Sequence, residues 1–277
     1  MSDYQRKIDF AIKILRAIPQ DGDIELAYSG GKDSDVILQL AKEAGIPFRA
    51  IYKNTTIDPP HTIVHAKEKG VEIRNPKISF FELVKKKGLP SRHRRFCCEY
   101  LKEYKILDRI IIGVRRDESN ARASRYSEPE VCREYSKTNK VRQYLPILYW
   151  DKNDVMRFIK EREIKCHPLY YDEEGNFHVE RRLGCIGCPL SKNRINELKT
   201  YPKFLKILVN SLEEYIKKHP NNASTTEYKT PYNMIFQTLF CNNKSEYQSL
   251  INGGMFPEAA IDAKQFLEDY FKIDLTL

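Results

Sequence analysis

The sequence contains no uninterrupted apolar run of roughly 18 residues, the length a helix needs to cross a bilayer. Its first twenty residues also lack the uninterrupted apolar core of a signal peptide, because Asp3, Arg6, Lys7 and Asp9 are mixed among Ile8, Ile12, Ile14 and Leu15. These two absences predict a cytoplasmic chain with no membrane partner, opening on an amphipathic helix. No internal repeat or low-complexity tract stands out. Seven cysteines, an odd count without an export signal, speak against a disulfide framework and leave thiols or metal ligands.

What is present suits one main domain with an extension: 277 residues, 41% hydrophobic, enough for a large core. Lys and Arg number 47 against 38 Asp and Glu, a net charge of +9, which tilts the expected ligands toward phosphates and polyanions. Short apolar runs at Ile24–Tyr28, Phe48–Tyr52, Val71–Ile73, Arg109–Val114 and Tyr144–Leu148 alternate with helical spacing, as in Asp35–Glu43. This predicts an α/β fold, a doubly wound and mostly parallel sheet with helices on both faces. The expected division is a nucleotide-binding domain over residues 1–192 and a helical C-terminal extension over 193–277. That extension is expected to hold helices at Ile195–Tyr215 and Glu258–Phe271 and a polar loop at Lys217–Lys229.

In such sheets ligands bind beyond the carboxyl ends of the strands, where Ser29–Ser34, Asn54–Asp58 and Arg115–Arg125 fall. The loop Ser29-Gly30-Gly31-Lys32-Asp33-Ser34 sits between an expected strand and helix, so its N–H groups and the positive helix end face an anion. Gly30 and Gly31 allow close backbone approach, Lys32 adds a point charge, and Ser29 and Ser34 offer hydroxyls. Asp33 is placed to hold Mg²⁺ or to cap the helix. The loop is no Walker A motif: Leu26 stands where the spacing requires glycine, and no Ser or Thr follows Lys32. Arg115 and Arg116 would be delivered to phosphate or sulfate, Arg115 foremost, unless they pair with Asp117 and Glu118. Thr55, Thr56 and Asp58 are placed to meet an adenosine.

Cys97-Cys98 and Cys185-x-x-Cys188 supply four thiolates, as a [4Fe–4S] cube or a tetrahedral zinc requires. Adjacent cysteines bind one small ion awkwardly, which favours the cluster, with zinc as the alternative. The run Arg92-His93-Arg94-Arg95 and Lys102 would stabilise the thiolates or recruit an anionic substrate. Cys132, Cys166 and Cys241 lack paired spacing and read as core or surface thiols. His61, His65 and His167 read as structural.

The loop resembles the PP-loop of ATP pyrophosphatases, which cleave ATP between the α and β phosphates and adenylate a substrate. Gly113-Val114-Arg115-Arg116-Asp117-Glu118-Ser119 with Arg122, Leu145-Pro146-Ile147-Leu148-Tyr149-Trp150 with Asp154-Val155, His167-Pro168-Leu169-Tyr170 and Gly184-Cys185-Ile186-Gly187-Cys188-Pro189 extend the resemblance. Together they are similar to the phosphoadenosine phosphosulfate reductase branch of that superfamily over about residues 20 to 190. The tandem-plus-CxxC cysteines mark its iron–sulfur members. The resemblance implies an enzyme that binds ATP with Mg²⁺ at Lys32, Asp33 and Arg115 and adenylates an acceptor. DNA or RNA is the expected acceptor, with a sulfur donor or partner protein. Two alternatives stand beside it, a sulfonucleotide reductase and a non-enzymatic nucleotide-binding subunit of a nucleic-acid complex. The intact loop weighs against both, and the last cysteine being Cys241, with no cysteine in the terminal run Lys272–Leu277, weighs further against the reductase.

Overall fold

In the computed structural model the described residues are 2–136, 139–254 and 257–276. In chain order the elements are α1 (Asp3–Arg16), β1 (Ile24–Tyr28), α2 (Lys32–Ala44), β2 (Arg49–Lys53), α3 (Thr62–Glu68), β3 (Glu72–Arg74), α4 (Phe80–Lys87) and α5 (Phe96–Leu101). Then come β4 (Arg109–Ile111), α6 (Asn120–Arg125), β5 (Glu130–Ser136), β6 (Asn139–Tyr144) and α7 (Lys152–Glu161). The chain ends in α8 (Arg194–Thr200), α9 (Pro202–Lys218), α10 (Ala223–Tyr228), α11 (Pro231–Phe240), α12 (Lys244–Ile251) and α13 (Ala263–Phe271).

The residues form two compact units. The first, Met1–Pro76 with Lys102–Gly184, carries a six-stranded sheet in the order β3-β2-β1-β4-β6-β5. All neighbours pair in parallel except β5, which runs antiparallel along β6. This is the expected doubly wound α/β architecture. From β1 the chain crosses through α2 to β2 on one side, and β4 later lies on the other, so the sheet reverses direction beside β1. Ligands of such sheets gather at that reversal. The core beneath it joins Leu26 and Tyr28 of β1 to Val36, Ile37 and Leu40 of α2, Ile8, Ala11 and Leu15 of α1, and Val155 and Phe158 of α7.

The second unit, Lys77–Leu101 with Cys185–Leu277, is helical. It therefore starts inside the span expected to be one nucleotide domain, and the expected boundary at residue 192 does not coincide with it. Phe204 of α9 lies against Phe80 and Phe81 of α4, with ring centroids 6.0 and 5.2 Å away. That apolar contact ties 77–101 to the C-terminal helices.

Local expectations needed correction in four places. The strand expected at Tyr144–Leu148 is β6, ending at Tyr144, followed by a turn. Pro146 has no N–H for a ladder, and Leu145, Ile147 and Leu148 are buried from the turn instead. The helix expected at Ile195–Tyr215 is two, α8 and α9, because Pro202 starts a new helix and restricts Tyr201. The polar stretch Lys217–Lys229 contains α10, since Asn222 accepts the N–H of Ser224 at 3.1 Å and caps a helix rather than prolonging a loop. The last helix begins at Ala263, not Glu258, because the Asp262 carboxylate caps it by accepting the N–H groups of Lys264 and Gln265.

Candidate nucleotide site and cysteine cluster

The loop after β1 turns through Gly30 at φ 78°. A Cβ there would stand 2.8 Å from Thr62 and 3.1 Å from Leu183, so conformation and space both require glycine. Gly31 then occupies the cap position of α2 without a side-chain cap, leaving Lys32 and Asp33 in its first turn. The expected helix started at Asp35; the charged residues before it are already helical. Asp33 therefore does not cap the helix. Its carboxylate is gripped by Lys32 Nζ at 3.1 Å and by Arg115 Nε at 2.7 Å.

The serine hydroxyls shape the loop itself. Ser34 Oγ donates to the Gly31 carbonyl at 2.6 Å, and Ser29 Oγ accepts the Gly31 N–H at 3.3 Å. Tyr170, fully buried, accepts the N–H groups of Lys32 at 3.2 Å and Leu183 at 3.3 Å. Burial pushes its phenol pKa upward, so it stays protonated. Beneath the loop, buried Asp35 accepts from Tyr28 Oη at 2.6 Å and faces His65 Nε2 at 3.0 Å. His167 Nε2 lies 3.1 Å from the Pro60 carbonyl, and burial lowers its pKa to about 4. His65 thus holds Asp35 of α2, and His167 holds the turn at Pro60.

A cavity of about 380 Å³ opens beside Lys32 and Asp33 and extends over the sheet face of β1, β2 and β4. Its lining includes Ser29, Gly31 and Ser34 of the loop, Thr55 and Asp58 beyond β2, and Lys102, Arg122 and Arg182. Arg115 is 4% exposed and absent from that lining; it reaches Asp33 and, at 3.1 Å, Asp117. Arg116 is exposed and also outside the lining. Thr56 takes a φ of 65°, points its N–H to Asn54 Oδ1 and does not line the cavity. The guanidinium that does reach the cavity from this loop is Arg122, paired with Glu118, which Arg182 also approaches at 3.5 Å. Burial, followed by the neighbouring Arg182 charge, lowers the Arg122 pKa.

Sequence reasoning missed three features. Gly113 abuts the first turn of α2: a Cβ there would stand 2.9 Å from the Asp33 carbonyl oxygen. Tyr170 belongs to a quoted motif, yet its role depends on a contact far along the chain. A buried ion pair, Lys53 with Glu25 at 2.9 Å, lies in the cavity wall. Its signal was an acidic residue inside the apolar run Ile24–Tyr28.

All four candidate cluster cysteines fall in the helical unit. Hydrogen bonding to Cys98, then burial, then the proximity of Cys98, Cys185 and Cys188 raise the Cys97 pKa, so the other three thiols lie within electrostatic reach of Cys97. Each is partly exposed. Among the described residues no three His, Cys, Asp or Glu side chains converge as a site for one metal ion. Gly187, at φ 69°, turns the Cys185–Cys188 loop against Phe204 and Leu198, and Glu197 accepts its N–H at 3.1 Å. Of the other thiols, Cys132 is exposed and Cys166 buried.

A family described as "Phosphoadenosine phosphosulfate reductase domain" matches residues 23–191. An uncharacterized protein of Methanocaldococcus jannaschii is 28% identical over 214 residues, 71% of this chain and 42% of that protein. Sulfate adenylyltransferase subunit 2 of Shewanella pealeana is 29% identical over 200 residues, 59% of this chain and 66% of that one. The chain spans less than half the length of the two Methanocaldococcus proteins it matches. Among solved structures, a phosphoadenylyl-sulfate (PAPS) reductase from Candida auris aligns at TM-score 0.45 and 19% identity, covering 64% of this chain and 97% of that one. Among the described residues no helix is long and apolar enough to cross a membrane.

Proposed function

The chain belongs to the phosphoadenosine phosphosulfate reductase domain family, and within it we propose an ATP pyrophosphatase that adenylates an acceptor during sulfur transfer to, or modification of, a nucleic acid. The observation that carries this reading is the complete loop Ser29–Ser34, wrapped around the amino end of α2 beside β1, with Lys32 at the cavity and Asp33 held in place. An acceptor oxygen attacks the α-phosphorus, the α–β P–O bond breaks, and pyrophosphate leaves with the bond electrons. Loop N–H groups and Lys32 stabilise the charge that grows on the leaving pyrophosphate. Asp33 would hold Mg²⁺, which would supply shielding of that charge. Arg115 acts as a positioning residue that aims Asp33, while Arg122 and Arg182, which line the cavity, meet the anionic ligand.

Cys97, Cys98, Cys185 and Cys188 would hold a [4Fe–4S] cluster, which supplies sulfur handling or electron transfer beside the acceptor. Adjacent Cys97 and Cys98 bind one small ion awkwardly, which favours a cube with a separate iron for each sulfur over a single zinc. A relative named sulfate adenylyltransferase subunit 2 keeps adenylyl transfer and sulfur in the same reading.

The test measures AMP and pyrophosphate from ATP and Mg²⁺ with candidate acceptors. Lys32→Ala should abolish release while leaving the cysteine unit intact; full turnover in that variant would overturn the assignment. Anaerobic purification should give a brown protein whose colour Cys185→Ser removes without loss of ATP binding. A colourless protein with stoichiometric zinc would defeat the cluster. The family's description favours a second reading, sulfonucleotide reduction, for which sulfite release without AMP from ATP would decide.

A further inference from the structure

The net charge is unevenly distributed. Residues 77–101 hold seven Lys and Arg against two Glu, so about half of the chain's +9 lies in a short segment of the helical unit. Within this segment Lys85 bonds Glu82 at 2.8 Å and Glu214 at 2.9 Å. Lys86, Lys87, Arg92, Arg94 and Arg95 have no carboxylate partner among the described residues. Lys86, Arg92, Arg94 and Arg95 are exposed. Arg92 is also close enough to Arg194 to lower its pKa, an effect second only to burial. Like charges left together in this way create a positive field that an anionic partner relieves.

We propose that this segment is the docking surface for the sugar–phosphate backbone of a nucleic acid, deepening and resting on the acceptor assignment above. Three observations favour a nucleic acid over a lipid surface. The buried apolar residues of α4, Phe80, Leu83 and Val84, are already engaged, with Phe80 against Phe204, so they are not free to insert into a bilayer. Aromatic rings are interleaved with the cations: Lys87 Nζ sits 4.9 Å from the ring centre of Tyr100, which is 40% exposed and available to a base. Finally, Arg94 and Arg95 stand three and two residues before Cys97, and Cys97 and Cys98 lie in α5 with Tyr100, so the surface borders two of the four thiols. A bound strand would lie next to the sulfur-bearing group, which is what modification of that strand requires.

The experiment uses the full chain and labelled RNA and DNA oligonucleotides, with binding followed by fluorescence anisotropy from low to high salt. The wild type should bind at least one of them, with affinity falling steeply as salt rises. Changing Lys86→Gln, Arg92→Gln and Arg94→Gln together should weaken binding at least about ten-fold and flatten the log–log salt slope by about 2 to 3, near one unit per lost phosphate contact. Basal ATP cleavage without nucleic acid should be unchanged, and an unaltered circular dichroism spectrum shows that the variant folds. Wild-type affinity and slope in the triple variant would overturn the proposal, as would a wild type that binds acidic lipid vesicles but neither nucleic acid. Strong nucleic-acid binding that needs these residues, from a protein that never releases AMP, would keep the docking surface and remove the adenylation.

Discussion

Gly113→Ala tests how tightly the nucleotide loop is built. The strand β4 ends at Ile111, and two residues later the backbone passes the first turn of α2. A methyl at Gly113 would stand 2.9 Å from the carbonyl oxygen and 3.1 Å from the carbonyl carbon of Asp33, both backbone atoms that no rotamer change can remove. Relief requires the β4 loop and the amino end of α2 to separate by several tenths of an ångström. Overpacking of this kind costs about 1–3 kcal/mol, and here the displaced atoms belong to Asp33 itself. Arg115 and Lys32 hold that residue at 2.7 and 3.1 Å, so the displacement reaches the groups assigned to phosphate and magnesium. We expect denaturant unfolding to report a loss of about 2 kcal/mol and calorimetry with ATP and Mg²⁺ to report at least about ten-fold weaker binding. Gly22→Ala is the control, because its methyl would meet only the Arg109 side chain at 3.5 Å. If Gly113→Ala matched wild type in both assays, the close apposition of β4 and α2 would not be what positions Asp33.

Two further outcomes follow from the supports beneath the loop. Tyr170→Phe removes the acceptor for the Lys32 and Leu183 N–H groups and should cost about 2 kcal/mol with weaker ATP binding; a melting temperature equal to wild type would refute that role. His167 takes a proton near pH 4 in the folded chain and near the ordinary histidine value of 6.5 when unfolded, so its contribution is present above the higher value and is lost as pH falls between the two. Its share of the loss from pH 7 to pH 5 should be about 2 kcal/mol, seen as a flatter pH–stability curve in His167→Gln. An identical curve would mean that another group titrates there.

Features set by short-range chemistry were legible in the sequence. The run Ile24–Tyr28 followed by two glycines gave β1 and the loop, and apolar spacing gave α2 except for its first charged turn. The strands β5 and β6 are polar along much of their length, so an apolar pattern pointed past β6 to a Pro-containing turn. Arg115 was expected at the ligand because a guanidinium suits phosphate; only the tertiary structure reveals that Asp33 lies nearer. Tyr170 is the same kind of case, since a hydroxyl that accepts the N–H of Lys32, 138 residues away, and of Leu183 leaves no periodic trace. The cysteine pairs were recognisable by spacing, whereas their membership of a unit interrupted by three of the sheet's six strands was not.

That interruption bears on how the protein is made. Residues 77–101 leave the ribosome long before Cys185–Leu277, the partners with which they form a compact unit. At about 5–20 residues per second, the roughly 80 residues in between take on the order of 4–16 s to synthesise. During that interval Cys97 and Cys98 belong to an unfinished fold, open to oxidants and to premature pairing. Assembly of the thiol-rich unit is therefore a late event in biosynthesis, timed by the passage of residues 102–184, and a cell that slows elongation prolongs the exposure.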